Sequence, residues 1–322
     1  MSEINIGIDM MGGDYAPSEA VKGISLYLND ESKTGLIYCI GNEAEIQPLL
    51  DSCGIAADAR IKVVHAAQTI GYNEHPTKAL KEKPDSSISV GFYMLASGKI
   101  DAFISAGNTG AMLVGAMYTI KTIEGILRPT IPTLVPKLNG SSGLLVDVGL
   151  NADCKPEQLN QFALLGSEYA KSVLGIENPK VALLNVGEEA EKGNLLCQAT
   201  YPLLKENKQI NFVGNVEGRD LFKDKSDVIV CDGFTGNIVL KMAESIYDIA
   251  AERQLENDSF LSRFHYENYG GTPILGIDKP VIIGHGISND RAFSNMIIQA
   301  EQMIASNFCQ KIKTIFKIED KD

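Results

Sequence analysis

Two turns of nearly the same composition carry the side chains best suited to holding an anion: Asn108-Thr109-Gly110 and Thr235-Gly236-Asn237. Each follows a short apolar run and precedes a segment whose apolar residues recur at helical spacing. A strand, a glycine turn and a helix start place several backbone N–H groups at the positive end of a helix dipole. Thr and Asn add side-chain donors to the backbone ones. Glycine-rich turns are also ordinary punctuation in α/β proteins, and that plain reading stands beside the functional one. In the second turn Asn237 is expected to be the N-cap of a helix beginning at Ile238.

Three further groups belong to the same chemistry. Lys192 lies in Gly187–Asn194, flanked by acids, and reads either as a surface ion pair worth ~0–1 kcal/mol or as a single ammonium at a strand end. Lys78, Lys81 and Lys83, followed by Ser86 and Ser87, form a local basic and hydroxyl stretch in an acidic chain. It is either an anion site or a solvated helix face. His285 follows the apolar run Val281–Gly284 and reads equally as a base or as a hydrogen-bonded structural histidine. Cys154 reads as a structural thiol rather than an acyl carrier.

The elements that must position these groups alternate. Strands are predicted at 4–9, 36–40, 61–65, 102–105, 143–148, 181–186, 210–214, 227–232 and 281–284, with helices at 20–28, 44–50, 156–172 and 292–308 among those between them. A further piece at 133–136 is confined to an edge by its prolines. Strands alternating with helices predict an α/β fold, a mostly parallel sheet covered on both faces. At 322 residues, one large unit with two lobes and a short helical tip near 251–268 is expected. No low-complexity tract, short repeat or linker interrupts it.

Composition narrows the function. Lys plus Arg number 29 against 41 Asp plus Glu, a net charge of -12, which argues against nucleic-acid binding. The six cysteines are scattered without a CxxC pair, so neither a zinc site nor any other metal is expected, and a reduced cytoplasmic setting is. No signal peptide and no run of transmembrane length are seen. GxxxxGK[ST], a GxGxxG after the first strand, GxSxG and HExxH are all missing. What remains suits an enzyme in which phosphate is itself the nucleophile. Phosphate is ionised at neutral pH and needs positioning, partial charge neutralisation and oxyanion donors rather than a base.

Motifs along nearly the whole chain resemble the PlsX-type phosphate acyltransferases: DMMGGDYAP at 9–17, SAGNTGA at 105–111, RPT at 128–130, DVG-NADCKPE at 147–157, LLNVGEE–KG at 183–193, GNVEGRD at 214–220, CDGFTGNIVLK at 231–241, YGGTPILG at 269–276 and HG at 285–286. The resemblance implies long-chain acyl transfer from acyl carrier protein to inorganic phosphate without a cofactor. The acyl phosphate would feed phospholipid synthesis through an acyl-phosphate:glycerol-3-phosphate acyltransferase. It implies a homodimer of α/β/α fold like isocitrate and isopropylmalate dehydrogenases, cytoplasmic with loose peripheral membrane association. Carried over by motif, Lys192 and Asn237 are the catalytic candidates. Asn108, Thr109, Gly110, Lys81, Lys83, Ser86, Ser87, Asn151, Gly236 and His285 are the phosphate- and substrate-binding ones.

Leu150 stands where the family usually has a small residue, and Thr130 and Thr272 where alanine is common. The span from Lys241 to Tyr269 is shorter than in members with a long amphipathic insertion, leaving Phe260, Leu261 and Phe264, beside Arg263, as a small apolar tip. Three rivals stay open. One is a coenzyme A-dependent phosphate acetyl- or butyryltransferase. Another is a dehydrogenase of the same fold using Asp9, Asp14 and Asp232. The third is a non-catalytic scaffold that binds acyl carrier protein.

Overall fold

A computed structural model describes residues 4–319, and the apolar runs in that span pair into two sheets. In chain order the strands are β1 (Asn5–Asp9), β2 (Leu36–Gly41), β3 (Ile61–His65), β4 (Ala102–Ser105), β5 (Pro132–Pro136), β6 (Ser142–Val146), β7 (Lys180–Leu184), β8 (Asn211–Val216), β9 (Val228–Val230), β10 (Gly271–Pro273) and β11 (Val281–Gly284). The chain divides into two units. The first runs to Thr122 and returns over Glu267–Cys309; the second takes Ile123–Tyr266 and the chain from Gln310.

The first unit holds the sheet ordered β10-β11-β4-β1-β2-β3, parallel except for the β10–β11 pair. Alternation along β1 assigns its two faces. Ile6 and Ile8 join Ile104 of β4 under the helices Ser18–Leu28 and Asp290–Ala305, in a cluster that also holds Ile24, Phe293 and Met296. The intervening Gly7 faces Ile100 and Phe103, and the Phe103 ring packs edge-on against Phe92 of the helix Ser87–Ala96. Helices on both faces are the condition for a buried parallel sheet.

The second unit holds β5-β6-β9-β7-β8, parallel except for β5 against β6. β5 is an edge strand, as Pro132 and Pro136 require, since neither has an N–H to offer a second neighbour. Leu144, Val146 and Val228 meet the helix Pro156–Ser172 at Gly166. Leu145, Ala182 and Ile229 point the other way, into a cluster closed by Val239 and Leu240 of the helix Gly233–Glu252. Each unit is thus an α/β/α sandwich.

The short segment after Glu252 does not present the expected apolar tip. Phe260 and Phe264 stack edge-to-face with each other and with Phe222, and Phe264 is buried. Arg263 donates to the carbonyls of Lys137 and Ser141 and to Ser142 Oγ. Inward packing of three rings removes more apolar surface from water than an exposed tip would. No helix among the described residues is long and apolar enough to cross a membrane.

Lys137, only 1% exposed, is the most deeply buried cation of the second unit; its Nζ lies 2.7 Å from Asp227 Oδ1 and 3.4 Å from Asp224. Burial pushes Asp227 up, but the bonds from Lys137 and from Lys180 N together outweigh it and hold the carboxyl below its usual value. Lys137→Ala strands that carboxylate and is expected to cost about 3 kcal/mol in denaturant unfolding. Adding Asp227→Asn should recover part of the loss; strictly additive losses would show that the pair is not coupled.

Candidate active site

In the second unit the site grows from the ends of β6, β7 and β9. Past β6, Asp147 is fully buried, and its carboxylate gathers the next turn: Oδ1 accepts from the N–H groups of Gly149 and Leu150, both at 3.0 Å. Oδ2 accepts from Asn151 N at 2.9 Å and Asn151 Nδ2 at 2.6 Å. Burial raises its pKa, and these four bonds oppose the rise. Asn151 also donates to the Pro129 carbonyl. Its buried amide therefore builds the turn and is not left facing a substrate.

The helix that follows β9 starts earlier than its sequence suggests. It runs Gly233–Glu252, and its N-cap is Asp232, not Asn237. Asp232 Oδ1 accepts from Thr235 N at 2.8 Å, and Oδ2 accepts from Thr235 Oγ1 at 2.9 Å. The glycines that read as a turn are helical residues with no room for a side chain. A Cβ on Gly236 would fall 1.8 Å from the Asp147 carbonyl oxygen. Asn237, in the second turn, is exposed, lies against Gly149, and its amide makes no hydrogen bond among the described residues. It is a free donor and acceptor carried on a rigid helix.

Past β7, the loop Asn185–Asn194 presents Lys192. Asn185 Nδ2 holds the Lys192 carbonyl at 3.0 Å, and Asn215 Nδ2 holds that of Glu189 at 2.8 Å. At Gly193, φ is 98° and a Cβ would lie 2.2 Å from Asn185 Oδ1, so glycine is required on both counts. Asn194 then caps the helix Leu195–Glu206 through Cys197 N. The Lys192 ammonium is exposed and has no carboxylate partner among the described residues, so the surface ion pair does not form. Of the acids near it, Glu188 is taken by Lys225, which shares Asp220 with Lys223. Glu188, Glu217 and Asp220 are close enough to share a metal, but Lys223, Lys225 and Arg219 already neutralise them.

The nearby thiols are donors, not thiolates. Cys154 Sγ donates to the Asn151 carbonyl and is pushed up to about 11, first by burial and then by Asp147. Cys197 and Cys231 donate to the carbonyls of Leu184 and Asp147, and burial raises both.

In the first unit the candidates lie past β1, β4 and β11. Asp9 is the counterpart of Asp147: it is buried, accepts from Met11 N at 3.0 Å and from Ser105 Oγ at 2.7 Å, and is raised by burial. Asn108 is the N-cap of the helix Thr109–Gly115, with Oδ1 accepting from Ala111 N at 2.9 Å. Its Nδ2 is spent on the carbonyls of Gly71, Tyr72 and Glu74, and the residue is only 5% exposed. Thr109 beside it is exposed, and Gly110 leaves room for Pro76.

Of the lysine cluster, Lys83 is paired with Glu74 at 2.6 Å and bonds the Thr69 carbonyl. Lys81 is exposed without a carboxylate partner among the described residues. Ser86 caps the helix Ser87–Ala96 through Ser89 N, and Ser87 is buried beside it. His285 is half-buried in the loop whose Gly286 carbonyl accepts from Asp14 N. A turn role for Asp9 is legible in the sequence, whereas the buried carboxylate of Asp147 was missed as the builder of its turn. The available signal was an Asp at a strand end followed by glycine two or three positions on.

The fold is that of α/β enzymes. A phosphotransacetylase from Streptococcus pyogenes superposes with a TM-score of 0.65 over 94% of each chain at 18% identity. A putative 4-hydroxythreonine-4-phosphate dehydrogenase from Salmonella typhimurium gives 0.53 over 94% of this chain and all of that one, at 14% identity. Sequence comparison is closer. A phosphate acyltransferase of Dictyoglomus turgidum is 42% identical, covering 99% of each chain, and one of Syntrophomonas wolfei is 43% identical, covering 95% of this chain and 97% of its own. Residues 4–311 match the family described as fatty acid synthesis protein. The chain belongs to that family, the PlsX-type phosphate acyltransferases, and is an enzyme of the acyltransferase class.

Two outcomes follow from the caps and ion pairs. Asp232→Ala should cost about 1 kcal/mol of stability. Asn237→Ala should stay within roughly 0.5 kcal/mol, as surface changes do. A larger loss for Asn237 than for Asp232 in denaturant unfolding would restore Asn237 as the cap. Burial pushes Asp220 up, but Lys223 and Lys225 together hold it down to about 2 from 3.8. Its contribution to stability is therefore present above the ordinary value and lost as pH falls toward about 2. Asp220→Asn should flatten the stability profile of the second unit across that window; an unchanged slope would mean the ion pairs do not depress it.

Proposed function

We propose that this protein transfers a long-chain fatty acyl group from acyl carrier protein to inorganic phosphate. The product, an acyl phosphate, is consumed by an acyl-phosphate:glycerol-3-phosphate acyltransferase on the way to phosphatidic acid. The observation that carries the reading is the pair of uncommitted polar groups in the second unit: the Lys192 ammonium and the Asn237 amide, each on backbone fixed by other residues. A phosphate oxygen attacks the thioester carbonyl, and the oxyanion of the tetrahedral intermediate collapses to expel the carrier thiolate. Lys192 supplies charge to the phosphate or oxyanion, and Asn237 orients by hydrogen bonding. Protonated thiols at Cys154, Cys197 and Cys231 favour direct attack over an acyl-enzyme. Thr109, Lys81 and His285 are the phosphate-side candidates of the first unit; Asn108, Lys83 and Ser86 hold that region together.

The helix Gly233–Glu252 leaves Phe234, Ile238 and Met242 respectively 63%, 52% and 73% exposed in one row. A second copy of the chain covers such a stripe, which supports the homodimer. The protein acts in the cytoplasm with loose peripheral membrane contact.

The assay is phosphate-dependent release of free carrier thiol from palmitoyl-acyl carrier protein, with acyl phosphate trapped by hydroxylamine. Lys192→Ala should lower turnover about 100-fold or more with the fold intact, and Asn237→Ala by about 100-fold, the scale of one lost transition-state donor. Cys154→Ala should stay within about twofold. Turnover with acetyl-coenzyme A alone would instead make this a short-chain transferase.

A further inference from the structure

A cavity of about 290 Å³ opens in the second unit at the ends of β7 and β9. Its floor is apolar and buried: Leu159, Leu183 and Cys231. Leu184 and Cys197 continue the wall. Both thiols donate to backbone carbonyls and are raised above their ordinary values, so they present a small, uncharged, polarisable surface.

The mouth is different. Asn185, Asn194, Asp232 and Thr235 line it. Asn185 holds the Lys192 carbonyl, so the loop that carries Lys192 forms one side of the mouth. The apolar floor offers a phosphate or a nucleotide nothing, so neither is held inside the cavity.

We infer that this cavity is the acyl-chain pocket, seating the carbons next to the thioester while the carbonyl stays at the mouth, beside the loop that carries Lys192. The inference rests on the acyl-transfer reading above and names where that substrate's hydrocarbon goes. At the ~30 Å³ that a water molecule or a methylene occupies in a condensed phase, the cavity holds roughly ten such groups. A palmitoyl chain fills it and continues outward. Val186 at the rim and Leu195 nearby, 78% and 85% exposed, are the apolar surface available to the remainder.

The pocket sets a chain-length profile. Each methylene that enters adds a factor of roughly three to four to kcat/KM, the equivalent of about 0.8 kcal/mol, and the gain ends when the cavity is full at roughly ten carbons. The test is phosphate-dependent turnover of acyl carrier proteins loaded with chains from butyryl to palmitoyl, with the wild type, Cys197→Phe and Cys197→Ala. Phenylalanine should move the break to shorter chains and leave butyryl turnover within about twofold; alanine should move it to longer chains. Retained butyryl turnover reports that Cys197→Phe is folded, and the alanine variant carries the test if it is not. A break that stays in place in the folded variants, or no break at all, overturns the pocket. So does a uniform loss for every chain length, which would assign the cavity to the carrier's thiol arm. Acyl phosphate formed from no donor in the wild type would instead reject the acyl-transfer reading itself.

Discussion

A buried carboxylate at the end of a strand is the constraint on which each unit's site depends. Asp147 sits where water cannot reach it and has no cation against it, so its charge is balanced by N–H donors alone. Such a group must be fully hydrogen-bonded or it is costly, and the least expensive donors are those of the turn that follows it in sequence. The turn is therefore wound around the carboxylate. Its carbonyl in turn faces Gly236, so the helix bearing Asn237 approaches as closely as backbone allows. Asp9 plays the same part in the first unit with Met11 and Ser105.

This arrangement separates the residues that build from those that are left to react. Asn108 and Asn151 resemble ligands by type, yet their amides are consumed by backbone groups of neighbouring loops. Lys83 is likewise held by Glu74. Lys192, Asn237, Thr109 and Lys81 keep their polar ends free among the described residues, on backbone that the first group fixes. Positioning of this kind is paid for in folding and costs nothing during reaction. Charge is handled the same way: Lys225 bridges Glu188 of the Lys192 loop to Asp220, so Glu188 is not paired with Lys192.

The amino-acid sequence by itself determined the alternation of strands and helices, the edge position of Pro132–Pro136 and the family. These follow from periodicity, from proline's missing N–H and from motifs that are continuous in sequence, all of which are local. Tertiary structure alone decided that the helix after β9 begins at Gly233. Its glycines are explained by the Asp147 carbonyl and the Asn151 backbone, more than eighty residues distant in sequence. It alone turned Phe260 and Phe264 inward onto Phe222, buried Lys137 against Asp227, and paired Glu188 with Lys225 rather than Lys192. Each of these outcomes is a choice among partners that are far apart along the chain. Local spacing carries no information about which of them arrives.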